Sequence, residues 1–133
     1  MDPADPAASP TEARLRAIID SALDAIVSTD AGSVITGWNA HAEAMFGWTE
    51  EEALGRILSE TIIPPQHRQA HAAGVRRYLA TRQPHILNQR IEITALRRDG
   101  REFPVELTVA QAQGGGRVVF SAFIRDLSDR RRA

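Results

Sequence analysis

The chain has 133 residues, 43% hydrophobic and 25% charged, values that suit one soluble globular domain and are too apolar for disorder. A formal charge of −1 gives no global attraction to nucleic acid or to an anionic membrane. With no membrane-length apolar run and no secretory signal, a cytoplasmic protein is expected. Cysteine is absent, which excludes disulfides, thiolate metal sites and thiol nucleophiles; all 16 basic residues are Arg, which excludes lysine Schiff-base chemistry.

Residues 1–9 are rich in Pro and Ala without an apolar period and are expected to form a disordered tail. Ser9-Pro10-Thr11-Glu12 then supplies an N-cap, a proline at the first helical position and a Glu three residues after the cap. Leu15, Ile18, Ile19, Ala22 and Leu23 follow at helical spacing, so an amphipathic helix is expected within residues 10–24, with a stripe that needs a partner surface. Ala25–Thr29 and Ser33–Trp38 are β-prone runs around Asp30-Ala31-Gly32 and predict a hairpin. Asn39 can cap a short helix over Ala40–Phe46 that Gly47 ends, and Thr49-Glu50-Glu51-Glu52 is a capping box for a helical turn that Gly55 closes. Pro64-Pro65 starts the longest central helix, about Pro65 to Thr81.

The last third reads as strands. Ile91, Ile93 and Ala95 alternate with Arg90, Glu92 and Thr94, which predicts one buried and one wet face. Asp99-Gly100 signals a two-residue hairpin, and Phe103, Val105, Leu107 and Val109 alternate after it. Pro104 lacks an N–H and points to an irregular or edge position near the strand's start. Gly114-Gly115-Gly116 makes the next turn, and Val118, Phe120, Ala122 and Ile124 form the final strand. Strands linked by hairpins, rather than alternating with helices, predict an α+β fold of about five antiparallel strands with helices over one face. Residues 1–60 hold 3 Arg and 11 acids, and residues 61–101 hold 8 Arg and 2 acids, a contrast that implies internal pairing and solvated faces.

These pieces, taken in order, resemble the PAS sensory domains. The resemblance lies in Ala25-Ile-Val-Ser-Thr-Asp30, Trp38-Asn39-Ala-His-Ala-Glu43-Ala-Met-Phe46-Gly47-Trp48, Glu51-Glu52-Ala-Leu54-Gly55, Arg97-Arg-Asp99-Gly100-Arg-Glu-Phe103-Pro104-Val105-Glu106-Leu107 and Ile124-Arg125-Asp126-Leu127-Ser128. It runs from about Leu15 to Ser128 and implies a PAS fold over residues 25–128, with a five-stranded antiparallel sheet, short helices and one longer helix. It further implies a sensory rather than catalytic module that binds small molecules between sheet and helices, pairs as a homodimer through its N-terminal helix and signals to an output domain such as a histidine kinase. Residues 129–133 would begin the linker to that domain. Asp126-Leu127-Ser128 stands at the family's exit motif, with Ser in place of Thr, and Glu43 with Arg97 or Arg98 resembles an internal salt bridge of the family.

His71 is the most informative side chain. It shares one face of the central helix with Val75, Tyr78 and Leu79, and its neighbours Ala70, Ala72, Ala73 and Gly74 are small enough to leave space for a flat ligand. Neutral imidazole is the usual axial ligand of haem iron. The run His71, Arg77-Tyr78 and His85-Ile86 resembles that of oxygen-sensing haem PAS domains in nitrogen-fixation sensor kinases. That resemblance makes His71 the proximal ligand of haem b. It sets Arg77 and His85 near the propionates, and Ile86, Leu107 and Val109 on the apolar distal wall; Val75, Tyr78, Ile91 and Phe120 complete the expected ligand face. The family's distal arginine falls on Ile91 here, and the adjacent Arg90 points to the other face of a strand, so the resemblance does not carry an arginine-based oxygen switch.

Other readings stand beside haem. The core could be filled by its own side chains in a pure interaction module, or Trp38 and Trp48 could contact a non-covalent FAD, although both also suit packing. The cysteine-dependent flavin photoreceptors are excluded. His67 and His71 have the i, i+4 spacing of a zinc pair, but Arg68 stands where a zincin glutamate would be. His41 is expected on the exposed side of its helix. No serine has a nucleophile-elbow context, and the triple glycine leads into a strand rather than a helix, so no catalytic constellation is expected.

Overall fold

The computed structural model describes residues 13, 14, 17, 23–81, 90–114 and 117–128. Five strands, β1 (Ala25–Asp30), β2 (Ile35–Trp38), β3 (Arg90–Leu96), β4 (Glu102–Gly114) and β5 (Arg117–Asp126), form one sheet in the order β2-β1-β5-β4-β3. Every neighbouring pair is antiparallel. Between β2 and β3 lie α1 (Ala40–Phe46), α2 (Glu50–Ala53), two 3-10 turns at Leu58–Glu60 and Pro65–His67, and the long helix α3 (Arg68–Thr81). The architecture is the α+β one expected. No helix among the described residues is long and apolar enough to cross a membrane.

Period-two patterning fixes which face of the sheet turns inward. Along β1, Ala25, Val27 and Thr29 are buried while Ile26, Ser28 and Asp30 are half-buried. Val105 and Ile124 add the inner faces of β4 and β5. Phe46 of α1 closes the core between Trp38, at 5.5 Å between ring centroids, and Phe103, at 5.8 Å.

The helix caps follow the sequence. The Asn39 side chain accepts from the Ala42 N–H at 3.0 Å and the Ile26 N–H at 2.9 Å, and donates to the Asp24 carbonyl at 3.1 Å. It therefore caps α1 and pins the entry of β1 at once. Gly47 ends α1 in the left-handed region at φ 86°, and Thr49 and Glu52 form the expected capping box.

Several expectations are corrected. Ser33 belongs to the first turn, at φ 64°, because the Asp30 carboxylate takes the N–H groups of both Gly32 and Val34, and β2 begins only at Ile35. Pro65–His67 forms a separate tight turn before α3. The Asp99-Gly100 turn is wider than two residues: the Arg97 N–H closes it on the Arg101 carbonyl, with Gly100 at φ 93°. Pro104 sits on an interior strand, but one position past the last β5 pair, Val105–Asp126, where β5 demands no N–H from it. His41 is half-buried rather than exposed.

The expected tail over 1–9, most of the expected N-terminal helix and residues 129–133 lie outside the described residues. Ala13, Arg14 and Ala17 are helical and exposed, and Leu23, a member of the apolar stripe, is 86% exposed within the single chain.

Candidate functional site

Helix α3 does not lie flush on the sheet. Between them is an apolar cavity of about 380 Å³, within the size range of small-molecule sites. Ala70, His71, Gly74, Val75 and Arg77 form its helical wall, and Ile91, Leu107, Val109 and Phe120 its sheet wall. The structure thus brings seven sequence candidates to one hollow: His71, Val75, Arg77, Ile91, Leu107, Val109 and Phe120. The Tyr78 side chain, His85 and Ile86 lie outside the described residues.

His71 is the one imidazole on this wall among the described residues. Burial among apolar groups holds its pKa below the usual 6.5, so the ring is neutral and keeps a nitrogen lone pair at ordinary pH. His67, four residues earlier, is exposed and lines no part of the cavity, so the two do not combine as a zinc pair. Arg77 stands at the mouth, lining the cavity while its side chain remains largely exposed.

The strand register settles Ile91 and Arg90. Ile91 pairs with Leu107 and both line the cavity, whereas Arg90 is exposed, with its Nε 3.6 Å from Oε1 of Glu106 on the other face. No arginine of β3 therefore reaches the hollow. Ile93, expected in a buried row, is 44% exposed because it looks into the space beneath α3 from an edge strand.

Sequence reasoning did not single out Leu58, Ile62 and Ile63, or the polar Thr29 and Ser33, which also line the cavity. The adjacent Ile62-Ile63 before Pro64-Pro65 was the available signal: two apolar residues in a turn need something to cover them. A second groove, of about 360 Å³, runs along β3 and β4 beside Glu92 and Glu102, but it is an open furrow with no imidazole.

The tryptophans are packing residues. Trp38 is 4% exposed and donates from Nε1 to the Trp48 carbonyl at 2.8 Å. The Trp48 ring lies between the guanidinium groups of Arg56 and Arg98, at 4.2 and 4.6 Å from its centroid, and neither tryptophan lines the cavity. The expected ion pair of Glu43 with Arg97 or Arg98 is not formed. Glu43 instead accepts from the Glu50 N–H at 2.6 Å, Arg98 pairs with Glu52 at 2.7 Å, and Arg97 pairs with Asp126. The Arg98 backbone N–H is held by the Phe46 carbonyl at the end of α1, at 2.8 Å, and its guanidinium turns to Glu52 of α2 instead of Glu43.

Comparison with known proteins bears on this geometry. The family model described as the PAS fold matches residues 13–127. An uncharacterized protein of Azorhizobium caulinodans is 47% identical over 120 residues, covering 90% of this chain and 16% of its own length. The Sensor protein FixL of Bradyrhizobium diazoefficiens is 36% identical over 118 residues, covering 89% of this chain and 23% of its own length. The chain therefore spans less than a quarter of each of these relatives. Among solved structures, the PAS domain of a Colwellia psychrerythraea protein superposes with a TM-score of 0.73 at 24% identity, covering 89% of this chain and 98% of that one.

Proposed function

This chain belongs to the PAS family, and on that footing we propose that it is the ligand-sensing module of a larger signalling protein, with His71 the axial ligand of haem b. The observation that carries the reading is a neutral imidazole lining an apolar hollow between helix and sheet. The 36% identity to a protein named as a sensor supports the signalling role, and that protein's greater length supports an output domain, such as a histidine kinase, outside the matched region.

The residues fit the group. An uncharged ring nitrogen is the donor that haem iron takes, and Val75, Leu107 and Val109 give the porphyrin apolar surface. Arg77 at the mouth is the cation suited to a propionate. When bound, haem supplies an open coordination position for a diatomic gas. Ile91, standing where the resembling haem sensors carry an arginine, gives that position an apolar neighbour, so discrimination among gases rests on shape and polarity rather than on a charged donor. The amphipathic stripe with Leu15 and Ile19 serves as the homodimer contact, and the module works without catalysis of its own, in the cytoplasm.

Hemin titrated into the haem-free protein tests the reading. The expected result is a Soret band that saturates at one equivalent and is lost in His71→Ala. Absence of a band overturns it and favours a ligand-free interaction module, whereas a band unchanged in His71→Ala overturns His71 as the ligand.

A further inference from the structure

Glycine in a helix interior is the least favourable residue after proline, so a protein that keeps one there has a reason. Close approach of a neighbour is the ordinary reason. Gly37 shows it on a strand, where an added Cβ would meet the Ser28 Cβ at 3.1 Å. A backbone beyond the reach of other residues is another, as at Gly47, whose φ is 86°. Gly74 of α3 has neither reason. A Cβ built there finds no atom within 4 Å, and its backbone is ordinary helix.

The space that the missing side chain leaves belongs to the cavity. At 3.6 residues per turn, Ala70, His71, Val75 and Arg77 spread over one arc of α3, and Gly74 falls near its middle. A side chain at position 74 would project into the hollow beside His71 rather than against protein. The helix therefore bears the cost of a glycine for clearance that no protein atom uses.

We propose that Gly74 is a ligand-contact residue that sets what the cavity admits: bare helix backbone, three residues on from His71, receives the face of the porphyrin. The proposal rests on the haem reading above and deepens it. Selectivity for a broad, flat ligand then comes from α3 itself, because any side chain at position 74 narrows the slot to ligands smaller than a macrocycle.

The test compares wild type, Gly74→Ala and Gly74→Leu as the complete chain, measuring the apoprotein Tm and hemin affinity from the Soret band. In Gly74→Ala the apoprotein Tm should rise by about 3–5 °C from helix propensity alone. Its hemin affinity should fall about tenfold or more, the scale on which pockets respond to one added methyl group. Gly74→Leu should lose the band altogether with His71 in place. Unchanged hemin affinity in Gly74→Ala overturns the proposal, as does a fall in its apoprotein Tm, which would mean that packing requires the glycine. A wild-type band that disappears in His71→Ala but is unmoved in both Gly74 variants defeats this proposal and spares the haem reading; no band in wild type defeats both.

Discussion

Arg97 reaches the Asp126 carboxylate with one guanidinium nitrogen, at 2.9 Å, and the Met45 carbonyl with the other. Its guanidinium also lies 3.7 Å from the centroid of the Phe103 ring. One side chain thus ties the β3–β4 turn to the end of α1 and to the last residue of β5, where Asp126 also accepts from the Ser128 N–H at 2.8 Å. Burial pushes the Asp126 carboxyl up, but the Ser128 bonds and the Arg97 guanidinium outweigh it and hold the group below its usual 3.8.

Arg97→Gln should therefore cost about 1–2 kcal/mol, the range for a charged hydrogen bond discounted for side chains about one-third exposed. A carboxyl with a depressed pKa stabilises the fold above its unfolded value, and that stability is lost as pH falls through the folded value. The difference between wild type and Arg97→Gln should accordingly narrow below about pH 3.8. Thermal melts across pH, with NMR titration of the Asp126 carboxyl, check this. An Asp126 titration that Arg97→Gln leaves unmoved contradicts it.

His71 should make the ligand-free protein acid-sensitive in a different range. Burial depresses its pKa, so the unfolded chain takes up a proton before the folded one does. Stability should fall as pH drops below the unfolded value near 6.5, and stop falling once the folded imidazole also protonates. Urea unfolding from pH 7.5 down to about 5 should show wild type losing stability relative to His71→Leu. A difference constant over that interval would mean that the ring is not held neutral by its surroundings.

Self-association should depend on the stripe before β1. Leu23 is 86% exposed in the single chain, a large apolar surface adjoining residues whose spacing is amphipathic. Leu15→Glu and Ile19→Glu should each weaken dimerisation by about tenfold or more, because a carboxylate must be desolvated in the contact. Sedimentation equilibrium reads this directly, and identical dimer constants in all three proteins would remove the helix from the interface.

Local rules made much of the fold legible. Asn39, Gly47, Thr49 and Glu52 act within a few residues of themselves, and their caps form where the sequence places them. Alternation in β1, and in β4 at Phe103 and Val105, reports burial because both strands lie inside the sheet, whereas Leu107 and Val109 border the hollow and are only half-buried. It misleads at Ile93, where an edge strand borders a hollow and an apolar residue faces space instead of protein. The partners of Glu43, Arg97 and Arg98 were not legible, since each choice depends on how α1, α2 and the β3–β4 turn meet. The face of α3 was legible from periodicity. That small residues beside His71 leave space was legible too, but which of them border it was not: Ala70 and Gly74 line the hollow and Ala72 and Ala73 do not, because that depends on how the helix stands over the sheet.

The most direct measurement of the central claim is chemical rescue at His71. His71→Gly should take up hemin weakly or not at all, and free imidazole added to that variant should restore the wild-type Soret maximum by entering the space the side chain left. If His71→Gly binds hemin as tightly as wild type without imidazole, the iron is not held by this residue and the account fails at its centre.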